Sequence, residues 1–260
     1  MSIIFSYAFD TTAKNQLDNS NTRIPDDVRT TDVKRSLDNT TVAGRGWEIR
    51  SEAAHPSGTG LGVRHYRGSG NNGQGAGHND NSGGIILVMP SAQTELWVRC
   101  YMRFQSGFSW NGGTPEYTKD HYWGGGAEPI FLFGHQGGAW GVNYAGTTNY
   151  PGTKTWADVM GGATGDGLWH CYEYHFRFSG ATGLLEFWID NVAAGSYSNI
   201  DMGSSGISSF KLGENQATVV GSGTADYYTD YDEVVISDSA RVGPLSGGGS
   251  TSTLRPQSVM

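Results

Sequence analysis

The chain has 260 residues, of which 37% are hydrophobic, 12% aromatic and 16% charged, too aromatic and too sparsely charged for a disordered polar chain. Its formal charge of −8, from 17 basic and 25 acidic side chains, repels phosphate backbones and anionic headgroups, so no nucleic-acid partner is expected. No stretch approaches the ~20 apolar residues of a membrane helix, and Cys100 and Cys171, the only two cysteines, cannot form a disulfide scaffold.

Taken from the N-terminus, residues 1–7 carry no basic flank and no small-residue cleavage site, so no Sec signal is expected. A strand is predicted over Ile3–Phe9. Residues 10–45 then read as an extended segment, with at most a short helix between Asp26 and Leu37. Further short strands are predicted over Gly46–Arg50, Gly62–Tyr66 and Ile85–Met89, each bounded by turn residues. Between them, residues 67–84 hold seven glycines and few apolar side chains, which suits a flexible cover or a subunit contact.

The clearest strand follows over residues 93–105. There Leu96, Val98, Cys100, Met102 and Phe104 alternate with Glu95, Trp97, Arg99, Tyr101 and Arg103, and Cys100 is expected to be a buried thiol. Strands at Pro129–Phe133 and Ala139–Tyr144 sit between two long connections, 107–127 and 145–166. Connections of such length are commonly functional, and these carry Trp110, Tyr117, Tyr122, Trp123, Tyr150 and Trp156, the candidate glycan-binding or interface residues. Flat rings suit the apolar faces of sugars, with neighbouring amides and carboxylates for the hydroxyls.

Over residues 167–179, His170, Tyr172, Tyr174, Phe176 and Phe178 oppose Trp169, Cys171, Glu173, His175 and Arg177. Both faces carry rings, so the alternation does not say which meets the core. Strands at Leu184–Asp190, Ser209–Leu212 and Tyr228–Ser237 complete the pattern. Residues 246–260 have linker composition and are expected to act as a C-terminal arm held by neighbouring subunits. Many strands, no helical periodicity and no repeats predict an all-β, antiparallel two-sheet jelly roll, one domain over 1–245.

Three stretches, 169–178 (Trp-His-Cys-Tyr-Glu-Tyr-His-Phe-Arg-Phe), 183–190 (Gly-Leu-Leu-Glu-Phe-Trp-Ile-Asp) and 230–237 (Asp-Tyr-Asp-Glu-Val-Val-Ile-Ser), resemble the second half of a concanavalin A-like lectin/glucanase jelly roll. The resemblance spans about residues 85–245. It implies the fold but not an activity, because lectins, glycosidases, polysaccharide lyases and virion domains share it. The glycosidase pattern Glu-x-Asp-x-x-Glu is absent. Asp230 and Asp232 would share one face of a strand and Glu233 the other, as an acidic strand end or a cation site.

Jelly-roll polysaccharide lyases need a cation or amide to neutralise a uronate and a Tyr or His to move protons. Arg50, Ser51 and Glu52 resemble the start of their Arg-Ser-Glu-x-Arg strand, though Ala54 replaces the second Arg. The family's Gln-x-His strand is represented only by His135-Gln136, adjacent and in reversed order, and Tyr227, Tyr228 or Tyr231 would provide the hydroxyl; His135 and Tyr228 are the candidates for the proton transfers. The resemblance also admits Ca2+, with Asn79, Asp80, Asn81 and Asp226, Asp230, Asp232 as oxygen donors.

By elimination the sequence points to a non-catalytic structural or recognition protein. A virion surface subunit of the decoration or fibre type is the reading, exposed without a Sec signal and contacting glycans or neighbouring subunits through its aromatic loops. A polysaccharide lyase using Arg50, His135 and Tyr228, and a soluble lectin, are the alternatives.

Overall fold

The computed structural model describes residues 3–7, 28–31, 47–56, 60–67, 84–108, 118–124, 129–133, 139–144, 148–162, 164–212 and 227–245. These form fifteen strands in two antiparallel sheets. The first sheet contains β1 (Ile3–Tyr7), β3 (Trp47–Arg50), β4 (Gly62–Arg67), β6 (Glu95–Phe104), β11 (Trp169–Arg177), β12 (Gly183–Ile189), β13 (Val192–Ile200) and β15 (Tyr227–Ser237). Its order is β13-β12-β11-β6-β15-β4-β3, with β1 pairing on β15. The second contains β2 (Val28–Thr31), β5 (Gly84–Gln93), β7 (Thr118–Gly124), β8 (Pro129–Phe133), β9 (Ala139–Tyr144), β10 (Thr148–Thr155) and β14 (Ile207–Leu212). Its order is β10-β9-β8-β7-β14-β5-β2. The result is the predicted jelly-roll sandwich.

The alternation in β6 resolves as expected: Leu96, Val98, Cys100, Met102 and Phe104 are buried in the core between the sheets. Pairing of β11 against β6 sets Tyr172 opposite Cys100 and Tyr174 opposite Val98. This decides the ambiguous strand: Tyr172, Tyr174 and Phe176 face the core with Leu185 and Phe187 of β12. From the second sheet Trp123 fills the centre, 4.9 Å from the Tyr174 ring, 4.7 Å from Phe176 and 5.3 Å from Phe210. One polar contact bridges the sheets inside this core, between His121 Nδ1 and the Tyr174 hydroxyl at 2.7 Å.

Several expectations are corrected. Residues 28–31 form a strand, not a helix, because Val28 to Thr31 pair along β5. The stretches read as loops at 107–127 and 145–166 contain the whole of β7 and of β10, the latter followed by a one-turn helix at Trp156–Met160. The alternation in β15 is broken by a bulge between Asp232 and Val235, with Glu233 at φ 53°. A bulge inserts an extra residue on one strand and re-aims the chain. Asp230 and Asp232 share the outer face as expected, but Glu233 does not take the opposite one: its carboxylate lies 3.5 Å from Arg99, an outer-face residue of β6.

Candidate functional site

The outer face of the first sheet collects most of the charged residues of the β6, β11, β12 and β15 strands, and the fold consumes them. Asp230, fully buried, accepts two hydrogen bonds from Arg64, at 2.7 and 3.0 Å, and one from Arg103 Nε at 3.0 Å. Arg64 lies over the Tyr228 ring at 3.5 Å and Arg103 over Trp169 at 4.9 Å. Asp232 accepts the backbone N–H of His55 and of Glu233, each at 2.7 Å. The His55 ring rests 4.1 Å from Tyr101. Burial, together with the Arg99 and Arg103 charges, pushes the His55 imidazole down to about 4, so it is neutral in the fold.

Residues 238–245 strap the same face. Arg241 bonds to Glu173 and lies over Trp188 at 4.3 Å. The Gly243 N–H reaches the Glu173 carboxylate at 2.8 Å, and the Leu245 N–H reaches the Tyr101 hydroxyl at 2.9 Å. Beyond the strap, His175 sits between Glu95 and Glu186, 2.9 Å from each, stacked on Trp97. This face is a brace whose charges already hold one another.

The sequence-predicted residues distribute as follows. Arg50 ends β3 with its guanidinium on Glu52 and pairs across to Gly62, whereas Tyr228 pairs across to Tyr66. Four residues of strand separate the two, or about 13 Å at ~3.3 Å per residue, so they do not converge on one sugar. His135, Trp110 and Tyr117 lie outside the described residues. Trp123 is a core residue, and Tyr150 is buried against Tyr197, ring centroids 5.0 Å apart. Neither ring is presented to a ligand, because the strands found at 118–124 and 148–155 turn both inward. Trp156 opens the one-turn helix, and Tyr122 lies on β7.

Among the described residues, no group of three or more His, Cys, Asp or Glu side chains is arranged to hold a metal ion. Asp230 and Asp232 are engaged by arginines and backbone N–H groups, and Asn79, Asp80, Asn81 and Asp226 lie outside the described residues.

The second sheet supplies what sequence reasoning missed. Strand pairing sets Arg29 opposite Ile86, Ile86 opposite Lys211, Lys211 opposite Tyr122, Tyr122 opposite Ile130, Ile130 opposite Asn143, and Asn143 opposite Asn149. These seven positions form one row across all seven strands. Tyr122 and Lys211 alternate with His121, Trp123, Phe210 and Leu212, which are buried in the core; period two therefore places the row on the face away from the core. Adjacent strands lie ~4.8 Å apart, so the row runs about 29 Å, with Arg29 about 10 Å from Lys211. The strands of this sheet hold four basic residues, Arg29, Lys119, Lys154 and Lys211, against one acid, Asp120.

No family model and no curated protein matches the sequence. Solved structures do match in fold. The endo-β-1,4-glucuronan lyase of the fungus Trichoderma reesei superposes with a TM-score of 0.55 at 10% identity, over 90% of this chain and 95% of that one. The alginate lyase Aly36B gives 0.52 at 12% identity, over 91% and 97%. Domain 4 of the GH43 extracellular arabinanase of Geobacillus stearothermophilus, solved with arabinotriose, gives 0.50 at 15% identity, over 90% and 91%. The fold of this chain is thus the jelly roll found in polysaccharide lyases and in carbohydrate-binding domains.

Proposed function

We propose that the chain is a polysaccharide lyase that cleaves a uronate-containing glycan by β-elimination on the outer face of the second sheet. One observation carries this reading: the register brings Arg29, Lys211 and Tyr122, scattered over 183 residues of sequence, into one row across the second sheet. The fold likeness to glucuronan and alginate lyases supports it.

Elimination begins with neutralisation of the C6 carboxylate, which makes the C5 proton removable; cations aimed at the developing charge provide this. Lys211 and Arg29 are the cations assigned this role in the proposal. Lys211 and Tyr122 are direct cross-strand neighbours, and in this proposal Tyr122 moves the proton. The phenolate takes the C5 proton, the C–H electron pair forms the C4=C5 double bond, and the C4–O bond breaks. The phenol then returns the proton to the leaving glycosidic oxygen, so that no co-reactant is consumed.

The test is incubation of the purified chain with alginate, glucuronan and heparin while the ultraviolet absorbance of the unsaturated product is followed. The expected result is a rise with at least one uronate polymer, abolished by Lys211→Ala and by Tyr122→Phe. Arg50→Ala should leave the rate unchanged, since Arg50 lies on β3 of the first sheet and outside the proposed row. Binding with no absorbance change for any polymer would sink the lyase reading in favour of a lectin. A virion surface subunit remains a reading by elimination, and its C-terminal arm, 246–260, lies outside the described residues.

A further inference from the structure

The strap on the first sheet is seated like a bound peptide. Arg241 lays its guanidinium over Trp188 at 4.3 Å and bonds to Glu173 and, at 2.9 Å, to Asn191. The Gly243 N–H takes the other Glu173 oxygen at 2.8 Å, and the Gly243 carbonyl accepts from Arg99 at 3.3 Å. The Leu245 side chain packs on the cluster of Tyr101, Trp169 and Cys171. Cation, peptide group and apolar side chain each meet a complementary group, and these groups stand on β6, β11, β12 or the turn that follows β12. None of them lies on the hinge, residues 238–240, which joins the strap to β15. The groove therefore reads an Arg-x-Gly-x-Leu segment without reading which copy of the chain supplies it. Glu173, 1% exposed, holds the groove to a filled state, because a buried carboxylate stripped of its partners is strongly disfavoured. The hinge lies at the surface: Asp238 and Ser239 are exposed, and the Ser237 hydroxyl accepts the N–H groups of Ser239 and Ala240 at 3.3 and 3.4 Å.

We infer that the strap is exchangeable, and that the groove's other occupant is the strap of a second copy of this chain. The contacts are the same in either arrangement, so hinge length and concentration decide between them. A short linker presents its end at an effective concentration on the order of millimolar, and at almost none when it cannot span the two sites. Ser237 pairs with Trp97, and Glu173 with Arg99, two residues along β6. Ser237 and Glu173 thus stand two strands and two residues apart, about 12 Å along the sheet. The six residue steps from Ser237 to Gly243 cover that separation. Three steps reach at most about 11 Å, before the rise onto the side chains is counted. Deleting Asp238, Ser239 and Ala240 therefore closes the route to the chain's own groove and leaves open the route to the groove of a second copy.

The experiment is sedimentation velocity on the full chain and on the chain lacking residues 238–240, with the folding of every variant checked by circular dichroism. The deletion variant is expected to run at twice the mass of one chain at micromolar concentrations, where the wild-type chain is a monomer. Adding Arg241→Ala and Leu245→Ala to the deletion removes both anchors of the strap and should return it to monomer. A folded deletion variant that stays monomeric would overturn the inference, and so would a dimer that survives the loss of both anchors. If the deletion variant does not fold, the wild-type chain at about 1 mM decides. A dimer there that the two alanine substitutions abolish in a folded chain supports exchange. A monomer, or a dimer indifferent to them, overturns it.

Discussion

Tyr122 and Trp123 are neighbours in sequence and opposite in consequence. Trp123 is buried among Tyr174, Phe176 and Phe210, and removing a ring of that size from a packed core costs about 3–5 kcal/mol. Trp123→Ala should therefore lower the urea midpoint sharply. On the proposed lyase reading, Tyr122→Phe should abolish product formation while moving the midpoint by no more than about 0.5 kcal/mol. A Tyr122→Phe variant as unstable as Trp123→Ala would place Tyr122 in the core instead. In the sequence the two rings are alike, two aromatics in a glycine-rich stretch; only the strand beneath them assigns each a side.

At the scale of elements, the strap 238–245 and the turn 51–56 are fastened to the outer face of the first sheet rather than to the core. The turn packs so closely that a Cβ on Gly62 would stand 1.8 Å from the Ala53 carbonyl oxygen. Gly62→Ala must therefore displace it, and limited proteolysis between residues 51 and 56 should speed up. The strap supplies the partners of Glu173, which is 1% exposed. Leaving a buried charge unpartnered costs about 3–5 kcal/mol. Truncation after Ser237 should lose about that much more than truncation after Leu245 in denaturant titrations.

Element prediction succeeded where alternation was strict and failed where burial was two-sided or absent. The β6 strand, Glu95–Phe104, was legible because one face is apolar and the other is not. The β11 strand was legible as a strand but not as to its inner face, because the strap and turn bury Trp169, Cys171 and Glu173 on the outside as well. The β13 strand, Val192–Ile200, offers mostly small and polar residues and is largely exposed, so no hydrophobic pattern announced it. The β2 strand lies in a polar stretch, and its pairing with β5 is a long-range fact.

At the scale of the molecule, two histidines set opposite limits on stability. His170 is buried, which by itself lowers its pKa, but Asp166 and Asp190 hydrogen-bond it from both sides and hold it up at about 9. Its contribution is fully present below the unfolded value of 6.5 and is lost as pH rises through about 9. His55 is held down at about 4, so the unfolded chain binds a proton that the fold refuses, and stability falls as pH drops from 6.5 toward 4. Thermal midpoints measured against pH should peak near 6.5. His170→Gln should flatten the alkaline limb alone, and an unchanged alkaline limb would refute the clamp. On the proposed lyase reading, polyuronate affinity should fall as salt shortens the Debye length to ~10 Å at 0.1 M, because the chain's net charge of −8 leaves any attraction local.

The sequence by itself determined the class of fold, because period-two burial, turn-rich connections and the absence of helical spacing are local properties of the chain. It also determined the core face of β6 and the acids shared on the outer face of β15. Only the tertiary structure brought together the residues on which the proposed site is built. Arg29, Tyr122 and Lys211 come together through strand pairing among β2, β5, β14 and β7, contacts between residues far apart in sequence. No spacing along the chain encodes them. The same pairing took Arg64, Arg103 and Asp230 out of contention by spending them on one another, since a charge buried in a sheet must find its partner across strands.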